Sequence, residues 1–377
     1  MNPFQIQKSC SHSQARTGLI YTDHGEIHTP FFMPVGTHGA VKTQSSSDIR
    51  QLPSKILLSN SYHLYLRPGM KILKKANGLH KFMNWNGTIL TDSGGFQIFS
   101  LSSLRNLSDE GVLFRSHLDG SEHLFTPELI IDIQRIIGSD FMMMLDICPP
   151  GDANKQVWKD AVDTTTMWAK RGMAKYKQTK PLYGHRQILL PIVQGGVDPE
   201  LRQQSAKKLL ELNADAYAIG GLAVGEPKPK MLEITQLMDG LLPRNKPRYL
   251  MGVGTPGDLV RCVARGVDMF DCVMPTRNAR NGQLFTFRGK MNIRNSKYKD
   301  DFSPIDDSNF SPMSDEYSKS YLHHLFKTNE ILGLRIATQH NLRFYIHIME
   351  KMRSNILNDH FTVWANNFLD EYGEDPL

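Results

Sequence analysis

The chain is expected to fold as an α/β protein, a (β/α)8 TIM barrel with an inserted hairpin and helical subdomain near its C-terminus. Three observations point there. Short apolar runs recur that stop abruptly at a polar residue or a glycine, helix-like segments separate them, and the runs are apolar at nearly every position. Strand alternating with helix dictates a parallel sheet, and continuous apolar character means burial on both faces. The number of runs approaches the eight of a closed barrel, an open doubly wound sheet being the alternative.

The runs are Lys55 to Asn60, Gly87 to Asp92, Asp140 to Asp146, Ile188 to Gln194, Ala216 to Gly221, Arg248 to Gly254 and Met269 to Asp271. Each has the length of a strand. Between them, Thr126 to Ile137, Val157 to Lys175, Pro199 to Leu212 and Pro229 to Leu241 carry apolar residues at three- and four-residue spacing, as amphipathic helices do. Ahead of Leu259, Thr255 reads as a helix cap, Pro256 as a first-turn residue and Asp258 as an acid facing the helix dipole.

Gly282 to Arg294 breaks the rhythm and reads as a hairpin, Leu284 to Phe287 and Lys290 to Ile293 joined by Arg288-Gly289. A Ser/Asp/Pro-rich stretch, Lys299 to Asp315, follows as an inserted subdomain or partner-facing loop. Tyr317 to Phe326 and His340 to Met352 read as helices, and the acidic tail Asp370 to Leu377 as a frayed end.

With 377 residues, 40% of them apolar, the chain can bury a full-sized core, and a single domain over 1–377 is expected. A net charge of +6 biases the surface toward polyanions without choosing one. The four cysteines, Cys10, Cys148, Cys262 and Cys272, form no closely spaced pair, which fits a reducing compartment. Met1 to Cys10 lacks the apolar core of a signal peptide and no apolar run is long enough to span a bilayer, so a cytoplasmic protein away from membranes is expected.

In a barrel the active site lies at the carboxyl ends of the strands. The residues there are Asp92, Asp146, Gln194, Gly221 and Asp271. An aspartate after a strand is equally a helix cap or turn former. Several acids in one pocket repel one another, which is tolerated where they have different tasks or hold a metal. No strand end supplies a histidine pair, which weakens the metal reading.

Thr91-Asp92-Ser93-Gly94-Gly95-Phe96-Gln97 gathers an acid, two hydroxyls, two glycines and an aromatic ring; the glycines admit a ligand to backbone N–H groups and Phe96 offers a stacking face. A turn with a core phenylalanine is the plainer interpretation. Gln194-Gly195-Gly196 and Gly220-Gly221-Leu222 share that logic for the edge of a heterocycle, although paired glycines are as often plain turns. Asp271 leads into Arg277 and Arg280, an acid beside two cations that suits attack on a sugar flanked by phosphates, or a surface salt bridge. His323-His324, His340 and His347 read as packing or capping residues.

Phe32-Met33-Pro34-Val35-Gly36-Thr37, Asn60-Ser61-Tyr62-His63-Leu64, Leu66-Arg67-Pro68-Gly69 and the Asp92, Gly220 to Glu226 and Asp271 motifs, in this order over nearly the whole chain, closely resemble the bacterial tRNA-guanine transglycosylase family. The resemblance implies a β/α barrel enzyme that exchanges guanine at wobble position 34 of GUN-anticodon tRNAs for preQ1 (7-aminomethyl-7-deazaguanine). It implies a homodimer acting on tRNA, with no redox cofactor or nucleoside triphosphate. Position by position, Asp271 matches the nucleophile that forms a covalent RNA intermediate, and Asp92 the acid/base. Asp146 matches the base-recognition acid, Gln194 and the Gly221 amide the contacts to the base carbonyl, and Phe96 the stacking ring. Ser93, Gly94, Gly95, Gly220, Leu222 and Met251 complete the implied base pocket. Thr276, Arg277, Asn278, Ala279 and Arg280 match RNA contacts, as does the turn Gly252, Val253, Gly254, Thr255, Pro256, Gly257 and Asp258. Val224 and Cys148 follow the bacterial form, favouring preQ1 over queuine.

Three departures stand out. The family's three zinc-binding cysteines align with Asn309, Ser311 and Ser314, leaving only His340 of the ligand set within residues 282–352. No structural zinc is expected from one nitrogen ligand. Ile147 stands where glutamate is common, and Ala279 where glycine is frequent. Two rival readings remain: a glycoside hydrolase using Asp92 and Asp271, and a catalytically silent RNA-binding subunit.

Overall fold

Short apolar strands run parallel in two sheets in the computed structural model, which describes residues 3–101, 105–308 and 310–377. The first sheet orders Ile188–Leu190, Phe141–Met143, Thr88–Thr91 and Ile56–Ser59. The second orders Ile192–Val193, Tyr217–Ile219, Arg248–Leu250, Met269–Asp271 and Phe31–Met33. The two meet at both edges. On one side Ile188–Leu190 and Ile192–Val193 are consecutive in the chain, interrupted at Pro191, which has no N–H to give a ladder. On the other, Val35 pairs in parallel with Leu58, and Gly36 N–H donates to the Leu58 carbonyl at 2.7 Å.

Side chains from both sheets, among them Met33, Leu58, Leu90, Met143, Ala218 and Met269, fill one buried cluster between them. Helices pack the outer faces, where Ile131, Ala169, Leu209, Ile234 and Val263 join a second cluster. Burial on both faces is why these strands carry no polar alternation. Fully burying one such side chain stabilises the fold by about 1.5–3 kcal/mol.

Three helices start alike. Thr126 accepts from Leu129 N–H ahead of Pro127–Ile137, Asp198 from Leu201 N–H ahead of Pro199–Leu210, and Thr255 from Asp258 N–H ahead of Pro256–Ala264. Each cap is followed by a proline, whose missing N–H costs nothing at a first turn. The cap read at Thr255 is therefore present. The strand runs are present as well but shorter. Arg248 to Gly254, for example, leaves the ladder after Leu250, because its glycines turn away over the site.

Several expectations need correcting. The late hairpin pairs Gln283–Thr286 with Gly289–Asn292 and matches Thr286 to Gly289, so the turn is Phe287-Arg288, one residue earlier than the pattern suggested. Phe287 leaves the strand because its ring packs edge-on against Phe344 and Phe310. Lys299 to Asp315 is not all loop, since helix Pro312–Glu316 begins within it, and His340 to Met352 is part of the 27-residue helix Ile331–Leu357. The C-terminal tail is tethered rather than frayed: Arg261 donates to Glu374 at 2.5 Å and also to the Asp375 carbonyl, and Lys228 reaches Glu374 at 3.3 Å.

Two antiparallel sheets went unread in the sequence: Phe4–Ser9, Arg16–Thr22 and Gly25–Thr29, and Arg105–Leu107, Val112–Arg115 and Glu122–Phe125. Among the described residues no helix is long and apolar enough to cross a membrane.

Candidate active site

The strands of both sheets end on one face, and that face carries the acids. Asp92 follows Thr88–Thr91, Asp146 lies three residues beyond Phe141–Met143, Gln194 follows Ile192–Val193, Gly220-Gly221 follows Tyr217–Ile219, and Asp271 ends its own strand.

Asp271 Oδ1 accepts from the Tyr249 hydroxyl at 2.6 Å and from Gly252 N–H at 2.9 Å. Both donors reach one oxygen, so Oδ2 has no hydrogen bond among the described residues. Burial raises the carboxyl's pKa above its ordinary value, and the two donors pull it partly back.

Asp92 is gripped differently. Asn60 caps helix Ser61–Leu66 by accepting from His63 N–H at 2.9 Å through Oδ1, which turns its Nδ2 onto Asp92 Oδ2. Ser61 N–H donates to Asp92 Oδ1 at 3.0 Å, and the Ser61 hydroxyl to the Asp92 carbonyl at 2.6 Å. Burial pushes the Asp92 carboxyl up to about 7, with the charge of Asp271 adding to the rise against the pull of its donors.

Asp146 accepts from Ser93 Oγ at 3.1 Å and from Gln194 Nε2 at 2.8 Å, and burial pushes it up to about 6. Gln194, read as a contact to a base carbonyl, thus spends one N–H orienting the acid, and its buried Oε1 has no partner among the described residues. The glycines are required by space. A Cβ on Gly95 would lie 2.8 Å from the Asp146 carbonyl, and one on Gly221, at φ +65°, would lie 2.4 Å from Gln194 Oε1.

Phe96 is half exposed at the head of helix Gly95–Leu101, on the rim of a cavity of about 670 Å³ that Ile147, Cys148, Pro149, Ala223 and Val224 also line. Burial pushes the Cys148 thiol up to about 12, which disfavours its thiolate. Leu222 is buried, while Met251 packs half-buried against the inner cluster.

The residues read as RNA contacts divide by exposure. Gly252 and Arg277 are exposed, and Thr255, Asn278 and Arg280 are half-buried. Val253, Gly254, Pro256, Gly257, Asp258, Thr276 and Ala279 are buried. Asp258 is committed to Lys228 at 2.8 Å, so this turn serves the fold first. Among the described residues neither arginine pairs with Asp271. Arg280 donates instead to the Thr276 carbonyl at 2.8 Å.

Four residues of the site escaped the sequence reading of roles: Asn60, Tyr249, Arg202 and Glu226. Arg202 is fully buried and has no carboxylate partner among the described residues. It donates to the carbonyls of Gly196 at 2.8 Å, Val193 at 2.7 Å and Gly221 at 3.3 Å, tying the two glycine turns together. Glu226 accepts from the N–H groups of Ala223 and Val224, closing the second turn. The available signals were a lone arginine on the apolar face of helix Pro199–Leu210 and a phenol inside a continuous apolar strand.

Away from this site, the positions aligned with a zinc-binding set do not fit one. Ser311, Ser314 and His340 are buried, and Asn309 lies outside the described residues. The Phe285 carbonyl only accepts, so His340 donates to it from Nε2 at 2.8 Å and accepts from Ser314 Oγ on Nδ1 at 2.7 Å. Both ring nitrogens are engaged and no thiolate is present.

The family model described as queuine tRNA-ribosyltransferase matches residues 10–374. Proteins named queuine tRNA-ribosyltransferase are similar along almost their whole length. One from Thermoanaerobacter sp. (strain X514) is 51% identical, with 98% of this chain and 97% of that one covered. One from Caldanaerobacter subterraneus subsp. tengcongensis is 52% identical with the same coverage, and one from Staphylococcus aureus (strain bovine RF122 / ET3-1) is 48% identical, covering 97% and 95%. The chain belongs to the queuine tRNA-ribosyltransferase family.

Proposed function

We propose that this chain is a tRNA-guanine transglycosylase that exchanges guanine at wobble position 34 of GUN-anticodon tRNAs for preQ1 by double displacement. The observation that carries the reading is the division among three acids. Asp271 has one clamped and one bare oxygen, Asp92 is poised near neutrality, and Asp146 is aimed by a hydroxyl and an amide.

In the first step Asp271 Oδ2 attacks the ribose C1′. The C1′–N9 bond breaks, its electron pair leaves with guanine, and protonated Asp92 supplies the proton. In the second, Asp92 as carboxylate removes the N9 proton of the incoming base, N9 attacks C1′, and Asp271 is released. Two inversions retain configuration. Asp146 accepts from the ring N–H and exocyclic amine that guanine and preQ1 share, and Phe96 stacks on a base turned out of its loop. Arg277 and Arg280 hold neighbouring phosphates.

The remaining readings belong to the same proposal. The two sheets close into one eight-stranded barrel in a single domain over 1–377. The subdomain at 282–352 is held by the Ser314–His340–Phe285 hydrogen bonds in place of zinc. The protein works in the cytoplasm as a homodimer. The apolar lining at Ile147 and Val224 favours the shorter preQ1 side chain over queuine.

The test is incorporation of labelled guanine, preQ1 and queuine into tRNA by the wild type and Asp271→Asn. Exchange by the wild type alone, faster with preQ1, is expected. Sugar release into water would favour the hydrolase, and tRNA binding without exchange the silent subunit.

A further inference from the structure

At the opposite ends of the strands, three histidines from distant segments converge. His24 sits in the turn between Arg16–Thr22 and Gly25–Thr29, His80 in helix Gly78–Phe82, and His185 in the loop before Ile188–Leu190. Each offers a nitrogen, and the three nitrogens lie within 4.8 Å of one another. The His24 and His80 rings stack with centroids 3.9 Å apart, and His185 meets His24 edge-on at 4.7 Å. His80 is buried, while His24 and His185 are half exposed, so solvent reaches the group.

One nitrogen of each ring is already committed to an oxygen. His24 Nδ1 lies 2.6 Å from Asp140 Oδ1. His80 Nε2 lies 3.0 Å from the Gly87 carbonyl and 3.3 Å from Asp140 Oδ2, and His185 Nε2 lies 2.9 Å from the Gly138 carbonyl. Carbonyls only accept, so His80 and His185 carry their protons on Nε2 and present Nδ1 as a lone pair. The carboxylate does the same for His24, leaving Nε2. Asp140 is itself fixed, fully buried, by the Ile89 N–H at 2.8 Å. Metal-binding imidazoles are oriented in this way, the second nitrogen donating to a carboxylate or carbonyl.

We propose that His24, His80 and His185 form a binding site for a divalent transition metal, with Asp140 orienting His24 and a water molecule completing the tetrahedron. Three neutral imidazoles without thiolates suit zinc, cobalt, nickel or copper and not magnesium or calcium. Metal–nitrogen bonds of about 2.0–2.1 Å set the ligand nitrogens roughly 3.3 Å apart. The present spacing is wider than this, so binding requires the three rings to draw together and His24 and His80 to tilt out of their stacked arrangement. The metal would bind the N-terminal hairpin, helix Gly78–Phe82 and the loop at His185 together on the face that carries stability rather than catalysis. This inference does not depend on the proposed reaction.

The test uses the full, untagged chain stripped with a chelator and desalted. With cobalt(II) alone as probe, the visible absorption of a tetrahedral cobalt centre is expected to saturate at one equivalent per chain. Zinc added afterwards displaces it, and the metal raises Tm. His24→Asn/His185→Asn, at two half-exposed positions, is expected to bind at least about 100-fold more weakly, and its Tm, lower without metal because Asp140 loses a partner, is expected not to rise when metal is added. His340→Asn is expected to bind as the wild type does. A wild-type chain that retains no metal, or a double variant that retains it undiminished, overturns the site.

Discussion

Asp92, Asp146 and Asp271 at the carboxyl ends of the strands and Asp140 and Asp268 at the amino ends are one residue type on the same sheets, solvated in opposite ways. At the amino ends each acid meets cationic or imidazole partners. Arg16 holds Asp268 through two bonds, at 2.9 and 2.6 Å, with Arg248 N–H donating as well. His24 and His80 flank Asp140 and hold its carboxyl below the usual range despite burial. At the carboxyl ends the donors are neutral amides and hydroxyls, and burial wins, lifting all three acids. The difference separates stability from chemistry. A paired acid is locked in one protonation state, whereas an acid held only by neutral donors can gain and lose a proton near pH 7 or keep an oxygen free to attack.

The sharpest break in that comparison is Asp271→Asn. Removing the nucleophile is expected to reduce guanine exchange on the order of 10⁴-fold or more, to abolish the covalent RNA adduct seen on a denaturing gel, and to leave Tm no lower. Asp92→Asn is expected to cost about 10²–10⁴-fold and to remove the pH dependence near 7. An adduct forming normally in Asp271→Asn would move the nucleophile elsewhere.

The mirror-image substitution, Asp268→Asn, is expected to spare chemistry and damage the fold. It strands the buried guanidinium of Arg16, and breaking such a pair costs about 3–5 kcal/mol. Denaturant unfolding measures this, with exchange per folded molecule as the control. A stable Asp268→Asn would show that the amino-end pairs are not what holds this face.

How far these two ends were legible beforehand follows from what each depends on. The carboxyl-end acids could be read because a strand that stops at Asp92 or Asp271 is a local pattern, and the fold class decides which face it lies on. Helix starts such as Thr255-Pro256 were equally local. The partners were not: Asn60 reaches Asp92, Tyr249 reaches Asp271 and His24 reaches Asp140 only after the sheets assemble, and nothing near these residues in sequence encodes the pairing. The hairpin turn slipped by one residue for the same reason, since Phe287 is pulled out of its strand by Phe344 and Phe310. The N-terminal antiparallel strands went unread because their half-exposed residues lack the continuous apolar signal of buried strands.

Tyr249→Phe tests the clamp on Asp271 itself. Losing one hydrogen bond to a charged group costs about 1.5–3 kcal/mol, so kcat/KM at neutral pH is expected to fall roughly 10- to 100-fold. Because the hydroxyl lowers the pKa of Asp271, its loss also moves the acid limb of the profile to higher pH. A fall in rate with an unmoved acid limb would mean that Tyr249 positions the substrate instead.

The smallest expected effect is the one in which the two ends oppose each other directly, the pH dependence of stability. In the unfolded chain Asp92 and Asp146 ionise near the ordinary carboxyl value of 3.8, whereas in the folded chain they do so at about 7 and about 6. Between those limits the folded state holds more protons than the unfolded one, so their contribution is present in full below pH 4 and is lost as pH rises to 7. Asp140 has the opposite sign. Its folded pKa is lowered, so its contribution is present above its ordinary pKa and is lost as pH falls through the folded value. Asp92→Asn/Asp146→Asn is therefore expected to flatten the decline between pH 4 and 7 while leaving the loss at lower pH intact. A gain in stability is expected at pH 7, discounted at Asp92 because that residue is half open to water that offsets part of its burial. Urea titrations across this range decide the matter, and parallel slopes for wild type and variant would show that the carboxyl-end acids are not held protonated by the fold.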